Sequence, residues 1–453
     1  MTVGTVLIGS ANALRAITRA GWTGVDVAGA VVVGAGDTSF PLVDRVASLA
    51  TIDFAALPAP TAVFCEKPDP SDARALLAGA ADAKVQLKLF EDGAVRDLAL
   101  RYVIGAAERP IDTARLRQQI AGRRVLITGG GGSIGSELAR KLAALGPSRL
   151  TLLDSSECNL YKMGLDLPQA VLVLADVRDA RSVQRWFERE MPEVVFHTAA
   201  LKQVPLVEAF PCEGVLTNLG GLRNVAEAAQ AIKADLVFVS TDKAVDPTGV
   251  MGASKRLGEL FCQAIDRRGG PRAVTLRLGN VLGSAGSVAP VFEAQAAAGK
   301  PLTITDPEVT RFFLSIPQAA DALLAAARAA LAGDAPRGAV LVIDMGEPLP
   351  ILELARAVIR LAGKRPDVDL PIVITGLRPG ERLHEQLISA HESIVGEAAG
   401  GVTAVTAAPR ELAALNDIVD QLLHLANAGA DAEVKANLFA AVLAERYPAM
   451  AAD

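Results

Sequence analysis

Short apolar runs alternate with amphipathic stretches along most of the chain, in two successive series. The first series extends to about residue 105, and its apolar runs are "TVLIGS", "DVAGAVVVG", "AVFCE" and "VQLKLF". The second extends to about residue 281, and its apolar runs are "RRVLIT", "RLTLLD", "AVLVLA", "EVVFH", "ADLVFVS" and "AVTLRL". Apolar runs of this length between helical patterns predict parallel strands joined by crossover helices. The sequence therefore predicts an α/β fold, with a doubly wound parallel sheet in the second series and a smaller α/β domain before it.

The pattern changes between and after the two series. Residues 105–122 are polar and contain Pro110, which predicts a linker followed by a short helix. After residue 281 the strand patterns become sparse, and a smaller mixed region extends to about residue 400. The tail from about 409 to 448 has a helical pattern. We therefore predict two domains, residues 1–112 and residues 113–453.

The composition, with 51% hydrophobic and 4% aromatic residues among 453, is typical of a protein built from helices and parallel strands. The net charge is −6 and no basic run occurs, so a nucleic-acid partner is not expected. No stretch reaches the roughly 18 consecutive apolar residues of a membrane span, and the first residues lack the features of a signal peptide. The four cysteines and four histidines lack metal-ligand spacing, so we expect reduced thiols, no metal and a soluble cytoplasmic chain.

The first series contains a strand–turn–helix pattern whose turn is degenerate. Gly9 follows the apolar run, and Ser10 and Ala11 come next. A second and a third glycine at the spacing of a dinucleotide-binding turn are missing. Their absence favours a structural or regulatory role for the first domain over ligand binding, and ligand binding stays the alternative.

The second series begins with a complete glycine turn, "TGGGGSIG", at residues 128–135. In this pattern Gly129 permits the tight turn, Gly132 lets the backbone approach a pyrophosphate, and Gly135 lets the helix pack on the strand. The helix that follows directs its positive end at the phosphates. Because a strand precedes the turn and a helix follows it, we predict a Rossmann-type dinucleotide site. Its predicted cofactor contacts are Thr128, Gly129, Gly132, Ser133, Ile134, Gly135, Val177, Ala199 and Ala200.

Two aspartates follow later strands of the same series. Asp154 ends the next strand, about 20 residues beyond the glycine turn, where a carboxylate accepts hydrogen bonds from the adenosine ribose hydroxyls. The next residues, Ser155 and Ser156, provide no arginine to hold a 2′-phosphate, so the pattern favours NAD over NADP. Asp176, after "VLVLA", is expected to receive the adenine amino group. For both aspartates the alternative is a helix N-cap.

Five later segments carry a resemblance to a known family: residues 196–208, 240–256, 277–292, 310–319 and 375–387. Through them, the chain from residue 121 to about 390 resembles the nucleotide-sugar 4,6-dehydratases of the extended short-chain dehydrogenase/reductase superfamily. Among these it is similar to the long, CapD-like polysaccharide-biosynthesis branch, which acts on UDP-N-acetylglucosamine. The first domain also resembles the nucleotide-fold domain of that branch. There it normally follows membrane helices, which this sequence lacks, so membrane association is expected only if such helices precede it in a longer protein.

The segment "STDKAVDPTGVMGASKR", at residues 240–256, has a methionine at an informative position. The resemblance implies that Met251 matches the tyrosine of the catalytic Tyr-x-x-x-Lys pair of short-form dehydratases, with Lys255 as the lysine. Methionine has no proton to give or take, but the long branch also has methionine here. The resemblance therefore implies an active enzyme whose proton chemistry lies elsewhere. Two departures from the family pattern, Gly249 for asparagine and Gln203 for histidine, are expected to alter substrate fit more than chemistry.

The resemblance also implies a reaction and its catalytic residues. C-4 of the sugar is oxidised with hydride passing to NAD, water is eliminated across C-5 and C-6, and the hydride returns to C-6. We assign Asp242 as the acid that protonates the departing C-6 hydroxyl, and Lys243 as the base at C-5. Thr241 is expected to hydrogen-bond the C-4 oxygen, and Lys255 to hold the nicotinamide ribose. The acceptor of the C-4 hydroxyl proton stays open, with Asp242 as the first candidate.

Substrate contacts are expected from the other segments of the resemblance. Asn280, Ser284 and Ser287 are predicted to contact the UDP diphosphate. Arg311 and Arg378 are predicted to neutralise its phosphates through charge-assisted hydrogen bonds. For each arginine the alternative is a surface salt bridge.

Three further residues are assigned to the ribose and the sugar. Glu381 is expected to accept hydrogen bonds from ribose hydroxyls, with a surface salt bridge as the alternative. Lys202 and Glu208 are expected to line the sugar pocket. The resemblance favours retention of configuration at C-5, and we expect the protein to form a homo-oligomer.

Two other functions fit the same sequence. A UDP-sugar epimerase would return the hydride to C-4 and would need no acid/base pair at Asp242 and Lys243. A cofactor-sensing regulatory subunit would have lost catalysis at Met251 and would use the first domain to dock partners. The mass of the product distinguishes the three functions.

Overall fold

The computed structural model describes residues 4–19, 26–91, 93–104, 112–398 and 401–443. The backbone contacts divide the chain into two compact units. The first unit comprises Met1–Glu108, Ser287–Phe313 and Glu347–Gly376, and the second comprises Arg109–Gly286, Leu314–Gly346 and Leu377–Asp453. The first unit thus combines the predicted first domain with two segments that the sequence assigned to the second. Residues 105–111 of the predicted linker lie outside the described residues.

The secondary structure of the described residues alternates between strands and helices. In chain order the strands are β1 Thr5–Ser10, β2 Val27–Val33, β3 Leu42–Val46, β4 Thr61–Phe64, β5 Gln86–Glu91, β6 Ala94–Asp97, β7 Arg124–Thr128, β8 Arg149–Asp154, β9 Val171–Leu174, β10 Val194–His197, β11 Asp235–Thr241, β12 Ala273–Leu278, β13 Asn280–Leu282, β14 Leu302–Ile304, β15 Thr310–Arg311, β16 Phe313–Ser315, β17 Val340–Ile343, β18 Leu349–Pro350, β19 Ile372–Ile374, β20 Ser393–Ala398 and β21 Val402–Thr406. The helices are α1 Ala11–Arg19, α2 Pro70–Asp82, α3 Leu100–Ile104, α4 Thr113–Ile120, α5 Ser133–Ala143, α6 Glu157–Asp166, α7 Ala180–Glu190, α8 Val204–Ala209, α9 Pro211–Val215, α10 Gly221–Ala231, α11 Val250–Arg267, α12 Val288–Ala297, α13 Ile316–Leu331, α14 Ile351–Leu361, α15 Leu412–Asn427 and α16 Asp431–Leu443.

The first unit contains a sheet with the strand order β3-β2-β1-β4-β5-β6. The first five strands are parallel, and β6 pairs antiparallel with β5. The apolar run of β1 forms its centre, where Val6, Leu7 and Ile8 are fully buried. The prediction of an α/β fold in the first series is therefore confirmed.

The second unit contains a sheet with the strand order β20-β21-β17-β12-β11-β10-β7-β8-β9. The neighbouring strands β9, β8, β7, β10, β11, β12 and β17 are parallel. At the other edge β21 pairs antiparallel with β17, and β20 pairs antiparallel with β21. The chain runs from β7 outward to β9 and then returns to β10 on the other side of β7. Ligands of such sheets bind at the carboxyl ends of the strands where the order reverses. The doubly wound Rossmann-type prediction is confirmed, and the glycine turn lies at the reversal point.

Helix α11 is the most deeply buried helix of the second unit. Every residue from Val250 to Asp266 is buried, which is expected only for a helix covered on all faces. Helices α15 and α16 pack against it and against α9, and Leu415 of α15 and Leu438 of α16 join the same apolar core. The predicted helical tail is confirmed to residue 443, and residues 444–448 lie outside the described part of the chain.

No helix in the described ranges combines the length and the apolar character that crossing a bilayer requires.

Candidate functional site

The glycine turn between β7 and α5 is built as a phosphate-binding turn requires. Gly129 has φ +68°, and a Cβ atom there would lie 2.7 Å from the backbone nitrogen of Ala199. A Cβ atom at Gly135 would lie 2.1 Å from the carbonyl oxygen of Gly129. Gly132 is the N-cap residue of α5 in extended conformation. Both close approaches exclude any side chain, so the glycines at 129 and 135 are sterically required.

A cavity of about 390 Å³ opens at this turn. Asp154 lines the cavity from the end of β8, and its two carboxylate oxygens accept hydrogen bonds from the backbone nitrogens of Gly131 and Ser156, each at 2.9 Å. A carboxylate is thus held beside the open N-terminus of α5, and the residues present fit the adenosine and diphosphate groups of a dinucleotide. The predicted contacts that line this cavity are Gly129, Gly132, Asp154, Asp176, Val177, Ala199 and Ala200.

Asp176 forms an ion pair with Arg178, whereas the N-cap of the next helix, α7, is Asp179. Its Oδ2 atom lies 2.9 Å from Arg178 Nε and 2.8 Å from Arg178 Nη2. Burial alone would raise the pKa of Asp176, but the hydrogen bonds and the charge of Arg178 outweigh burial and hold that pKa below its usual range. Arg178 also bonds Glu213 at 2.9 Å and lines the cavity. Sequence analysis did not assign Arg178, although it follows Asp176 by only two residues.

The predicted catalytic residues after β11 form one hydrogen-bonded cluster. Lys243 Nζ donates to Asp242 Oδ1 at 2.9 Å and to Asn280 Oδ1 at 2.8 Å. The Thr241 hydroxyl also donates to Asp242 Oδ1, at 2.9 Å. The second oxygen, Asp242 Oδ2, is buried and has no hydrogen-bond partner among the described residues. One carboxylate oxygen therefore orients the lysine, while the other has unused capacity to exchange a proton.

Met251 and Lys255 lie on successive turns at the start of α11. Lys255 Nζ donates to the carbonyl oxygen of Val239 at 3.0 Å and lies 4.7 Å from the ring centre of Phe238. Burial lowers the pKa of Lys255 to about 8. Met251 is 4% exposed and lines a small cavity of about 10 Å³ together with Lys243 and Glu385. The structure thus places a buried apolar side chain at the position that the resemblance matches to the tyrosine of short-form dehydratases.

Glu208 was predicted to line the sugar pocket, and in the structure its carboxylate contacts helices α11 and α16. Its Oε2 atom accepts a hydrogen bond from the backbone nitrogen of Val250 at 2.8 Å, which caps the start of α11. Its other oxygen pairs with Lys435 of α16.

Gly249 is one of the two departures from the family pattern, and it lies against Gly380. A Cβ atom at 249 would approach the Gly380 Cα atom to 3.0 Å. A side chain at 249 would therefore displace the loop that contains Gly380.

Lys202 and Ser284, both predicted to contact substrate, lie together. Lys202 Nζ donates to the Ser284 hydroxyl at 3.0 Å, and burial lowers the pKa of Lys202. Ser133 of the glycine turn accepts a hydrogen bond from the backbone nitrogen of Ala285 at 3.1 Å. The loop after β13 is thus tied to both the glycine turn and Lys202.

The other predicted substrate residues are distributed differently. Arg378 pairs with Glu381, with Nη2 2.5 Å from Oε1, so each satisfies the other in this structure. Ser287 precedes α12, and Arg311 lies in β15; both belong to the first compact unit. Their contacts with the diphosphate stay predictions.

His197 is a buried residue of the site that sequence analysis did not assign. Its Nδ1 atom lies 2.7 Å from the Thr128 hydroxyl at the start of the glycine turn. Burial lowers the pKa of His197 to about 3, so the ring is neutral at physiological pH. Its position at the end of an apolar strand, next to the glycine turn in the sheet, was the available signal.

The corresponding turn of the first unit is occupied by the chain itself. The Ser10 backbone nitrogen donates to Glu66 Oε1 at 2.7 Å, and the Ser10 hydroxyl donates to Glu66 Oε2 at 3.1 Å. The carboxylate thus lies at the N-terminus of α1, where a phosphate would otherwise bind. No group of three or more histidine, cysteine or acidic residues in the described ranges could hold a metal ion.

Comparison with known proteins identifies the family. A family described as "Polysaccharide biosynthesis protein" matches residues 125–406. The capsular polysaccharide biosynthesis protein CapD of Staphylococcus aureus is 38% identical over 66% of this chain, and the chain spans about half (50%) of the length of that protein. A UDP-glucose 4-epimerase of Rickettsia felis is 33% identical over 64% of this chain and 84% of that protein. The structure of the Thermus thermophilus UDP-glucose 4-epimerase in complex with NAD is 26% identical over 58% of this chain and 90% of that chain, with a TM-score of 0.50. The resemblance predicted from the sequence is confirmed at the level of the family, and the chain belongs to the polysaccharide biosynthesis protein family.

Proposed function

We propose that the chain is an NAD-dependent nucleotide-sugar 4,6-dehydratase that converts UDP-N-acetylglucosamine to UDP-4-keto-6-deoxy-N-acetylhexosamine. The observation that carries this proposal is the cluster of Asp242, Lys243 and Asn280, in which Asp242 is fully buried. Eliminating water needs both a base and an acid, and this cluster offers both in direct contact. Similarity to CapD supports a role in polysaccharide biosynthesis, and similarity to the Rickettsia felis UDP-glucose 4-epimerase supports a nucleotide sugar as the substrate.

The cofactor site is proposed to hold NAD. The chemistry that bound NAD would supply there is reversible hydride transfer, from C-4 of the sugar and later to C-6. The backbone of the glycine turn binds the pyrophosphate, Asp154 accepts from the adenosine ribose, and Lys255 orients the nicotinamide ribose. The structure of a Thermus thermophilus relative with NAD supports this assignment.

Proton transfer is proposed to run through the contact between Lys243 and Asp242. The Lys243 ammonium group first passes a proton along its 2.9 Å hydrogen bond to the Asp242 carboxylate, which leaves Nζ as a neutral amine. The amine takes the proton from C-5 of the sugar, with Asn280 fixing its direction, and the Asp242 carboxyl delivers its proton to the departing C-6 hydroxyl. Base and acid thus exchange one proton without a water molecule between them.

A UDP-sugar epimerase is the second candidate. It is favoured by the Rickettsia felis relative, which the match covers over 84% of its length. An epimerase would leave the buried Asp242–Lys243 pair without a step to perform. A catalytically inactive regulatory subunit is the third possibility, and the intact cluster argues against it.

Mass spectrometry of the product distinguishes these functions. The purified chain is incubated with NAD and UDP-N-acetylglucosamine, and dehydration predicts a product lighter by one water. An isomer of unchanged mass would identify an epimerase. Unaltered substrate, under conditions where calorimetry shows that both NAD and the UDP-sugar bind, would support the regulatory subunit.

A further inference from the structure

Glu385 is a buried carboxylate to which sequence analysis assigned no role. Its side chain is 3% exposed, and Oε1 lies 3.9 Å from Lys243 Nζ. Glu385 also lines the small cavity that Lys243 and Met251 line. A second carboxylate therefore lies beside the proposed catalytic lysine, at the cavity that contains the side chain replacing tyrosine.

The contact between Glu385 and Lys243 is looser than the other contacts of this lysine. Its 3.9 Å separation exceeds the length of a charge-assisted hydrogen bond. Asp242 and Asn280 hold the same ammonium group at 2.9 and 2.8 Å. The orientation of Lys243 is thus accomplished by Asp242 and Asn280, and it does not depend on Glu385.

The proposed reaction has a step that needs a further proton acceptor. Oxidation of C-4 requires its hydroxyl to lose a proton, and a methionine cannot accept one. Asp242 Oδ1 already accepts from Thr241 and Lys243, and the proposed function uses this carboxyl at C-6. Among the described residues that line the cavity with Met251, Glu385 is the one carboxylate.

We propose that Glu385 is the catalytic base that accepts the C-4 hydroxyl proton in place of tyrosine; this inference rests on the proposed function. The C-4–H electron pair leaves as hydride to the nicotinamide, while the hydroxyl proton moves to a Glu385 carboxylate oxygen and C-4 becomes a ketone. Lys243 then takes the C-5 proton. One of the two protons leaves with the C-6 hydroxyl as water through Asp242, and the other returns to C-5 after hydride reaches C-6. The protons removed equal the protons returned.

The test separates the first step from the later ones. Glu385→Gln keeps the size of the side chain and removes its basicity. We expect turnover to fall by about 10²–10⁴-fold, as for other positioned proton acceptors, with UDP-N-acetylglucosamine affinity by calorimetry within about threefold of the parent. In single-turnover mixing, the near-ultraviolet absorbance of reduced nicotinamide should not develop. Glu397→Gln, an exposed position on β20, is the matched control and should behave as the parent.

Several outcomes would overturn the proposal. A Glu385→Gln protein that develops the nicotinamide absorbance but eliminates no water would show that Glu385 acts only after oxidation, as a positioning residue for Lys243. Turnover within about tenfold of the parent would show that it is dispensable, since a lost proton acceptor costs more. If Glu385→Gln does not fold, Glu385→Ala with added formate replaces it: formate-dependent turnover supports the base, and turnover without formate refutes it. Failure of the parent to release water would instead refute the proposed function.

Discussion

The turn after β1 and the turn after β7 occupy the same place in two sheets whose parallel strands share the order 3-2-1-4-5. In the first unit, the Glu66 carboxylate lies against Ser10 at the start of α1. In the second, the start of α5 opens to a cavity of about 390 Å³. A strand, a turn and a helix are therefore not sufficient for a nucleotide site. The turn must also be free of side chains, and any carboxylate of the protein must leave space for the phosphates, as Asp154 does where it bonds Gly131 and lines the open cavity.

The first difference between the two turns is how far the shape of each depends on its glycines. At Gly135 the Cβ atom of any other residue would lie 2.1 Å from the Gly129 carbonyl oxygen. At Gly9 the corresponding atom would meet the Cys65 Cβ at 3.0 Å, a contact that a small shift relieves. The second turn thus depends on its glycines for its shape, whereas the first does not.

The largest effect is expected from Gly135→Val. The new side chain must displace the backbone of the glycine turn, so NAD should neither copurify with the protein nor bind in calorimetry. Gly9→Ala, a change at the turn of the first unit, should leave NAD affinity unaltered. Equal losses of NAD affinity in both variants would mean that the first unit also contributes to cofactor binding.

Removal of the groups proposed to transfer protons is expected to have the next largest effect. Asp242→Asn or Lys243→Met should lower dehydration by about 10²–10⁴-fold, the usual contribution of a positioned acid or base. UDP-sugar binding should survive, because neither change alters the glycine turn or its cavity. Steady-state turnover and calorimetry measure the two quantities, and nearly unchanged turnover in both variants would place the proton chemistry elsewhere.

A smaller effect is expected at Met251. Met251→Leu conserves apolarity and approximate volume, and such changes usually cost less than about 1.5 kcal/mol, so turnover should stay within about tenfold of the parent. Lys255→Ala should lower turnover further, since it removes the group proposed to orient the nicotinamide ribose. Met251→Tyr should bring no large gain. A tyrosine variant about a hundredfold faster, a difference near 2.7 kcal/mol, would identify methionine as a lesion.

A change at Asp154 tests the preference of the second turn for NAD over NADP. Asp154→Asn removes the charge that would disfavour a 2′-phosphate and should weaken the proposed hydrogen bonds to the ribose. The preference for NAD over NADP should fall by about tenfold, the order of one charge-assisted hydrogen bond. Competition binding with both dinucleotides measures it, and a parent protein that prefers NADP would reverse the assignment.

The smallest effect is expected from Glu66→Gln. The amide leaves one acceptor oxygen for two Ser10 donors, so the free energy of unfolding should fall by about 1 kcal/mol. Turnover and the amount of NAD bound per chain should not change. A second NAD bound by this variant would show that the carboxylate alone closes the first turn.

Local patterns predicted one part of this molecule well. The glycine turn, Asp154 and the end of β11 each follow an apolar strand within a few residues, so sequence order alone brings them to the same edge of the sheet. The Asp242–Lys243–Asn280 cluster joins the ends of neighbouring strands in the same way.

Contacts between residues distant in the chain could not be predicted. Glu66 reaches Ser10 across 56 positions, and Glu208 is engaged by Lys435 across 227 positions. No local pattern distinguishes such glutamates from exposed ones. Glu385 belongs to a segment that was recognised, but its burial beside Lys243 depends on how a loop without regular structure folds back.

The most direct measurement follows a deuterium label from C-4 of UDP-N-acetylglucosamine into the product. Temporary oxidation at C-4 and return of the same hydride to C-6 predict a product that has lost one water and retains the deuterium in its new methyl group. Magnetic resonance locates the label, and mass spectrometry reports the loss of water. A product of unchanged mass with deuterium at C-4 would contradict dehydration and establish the epimerase instead.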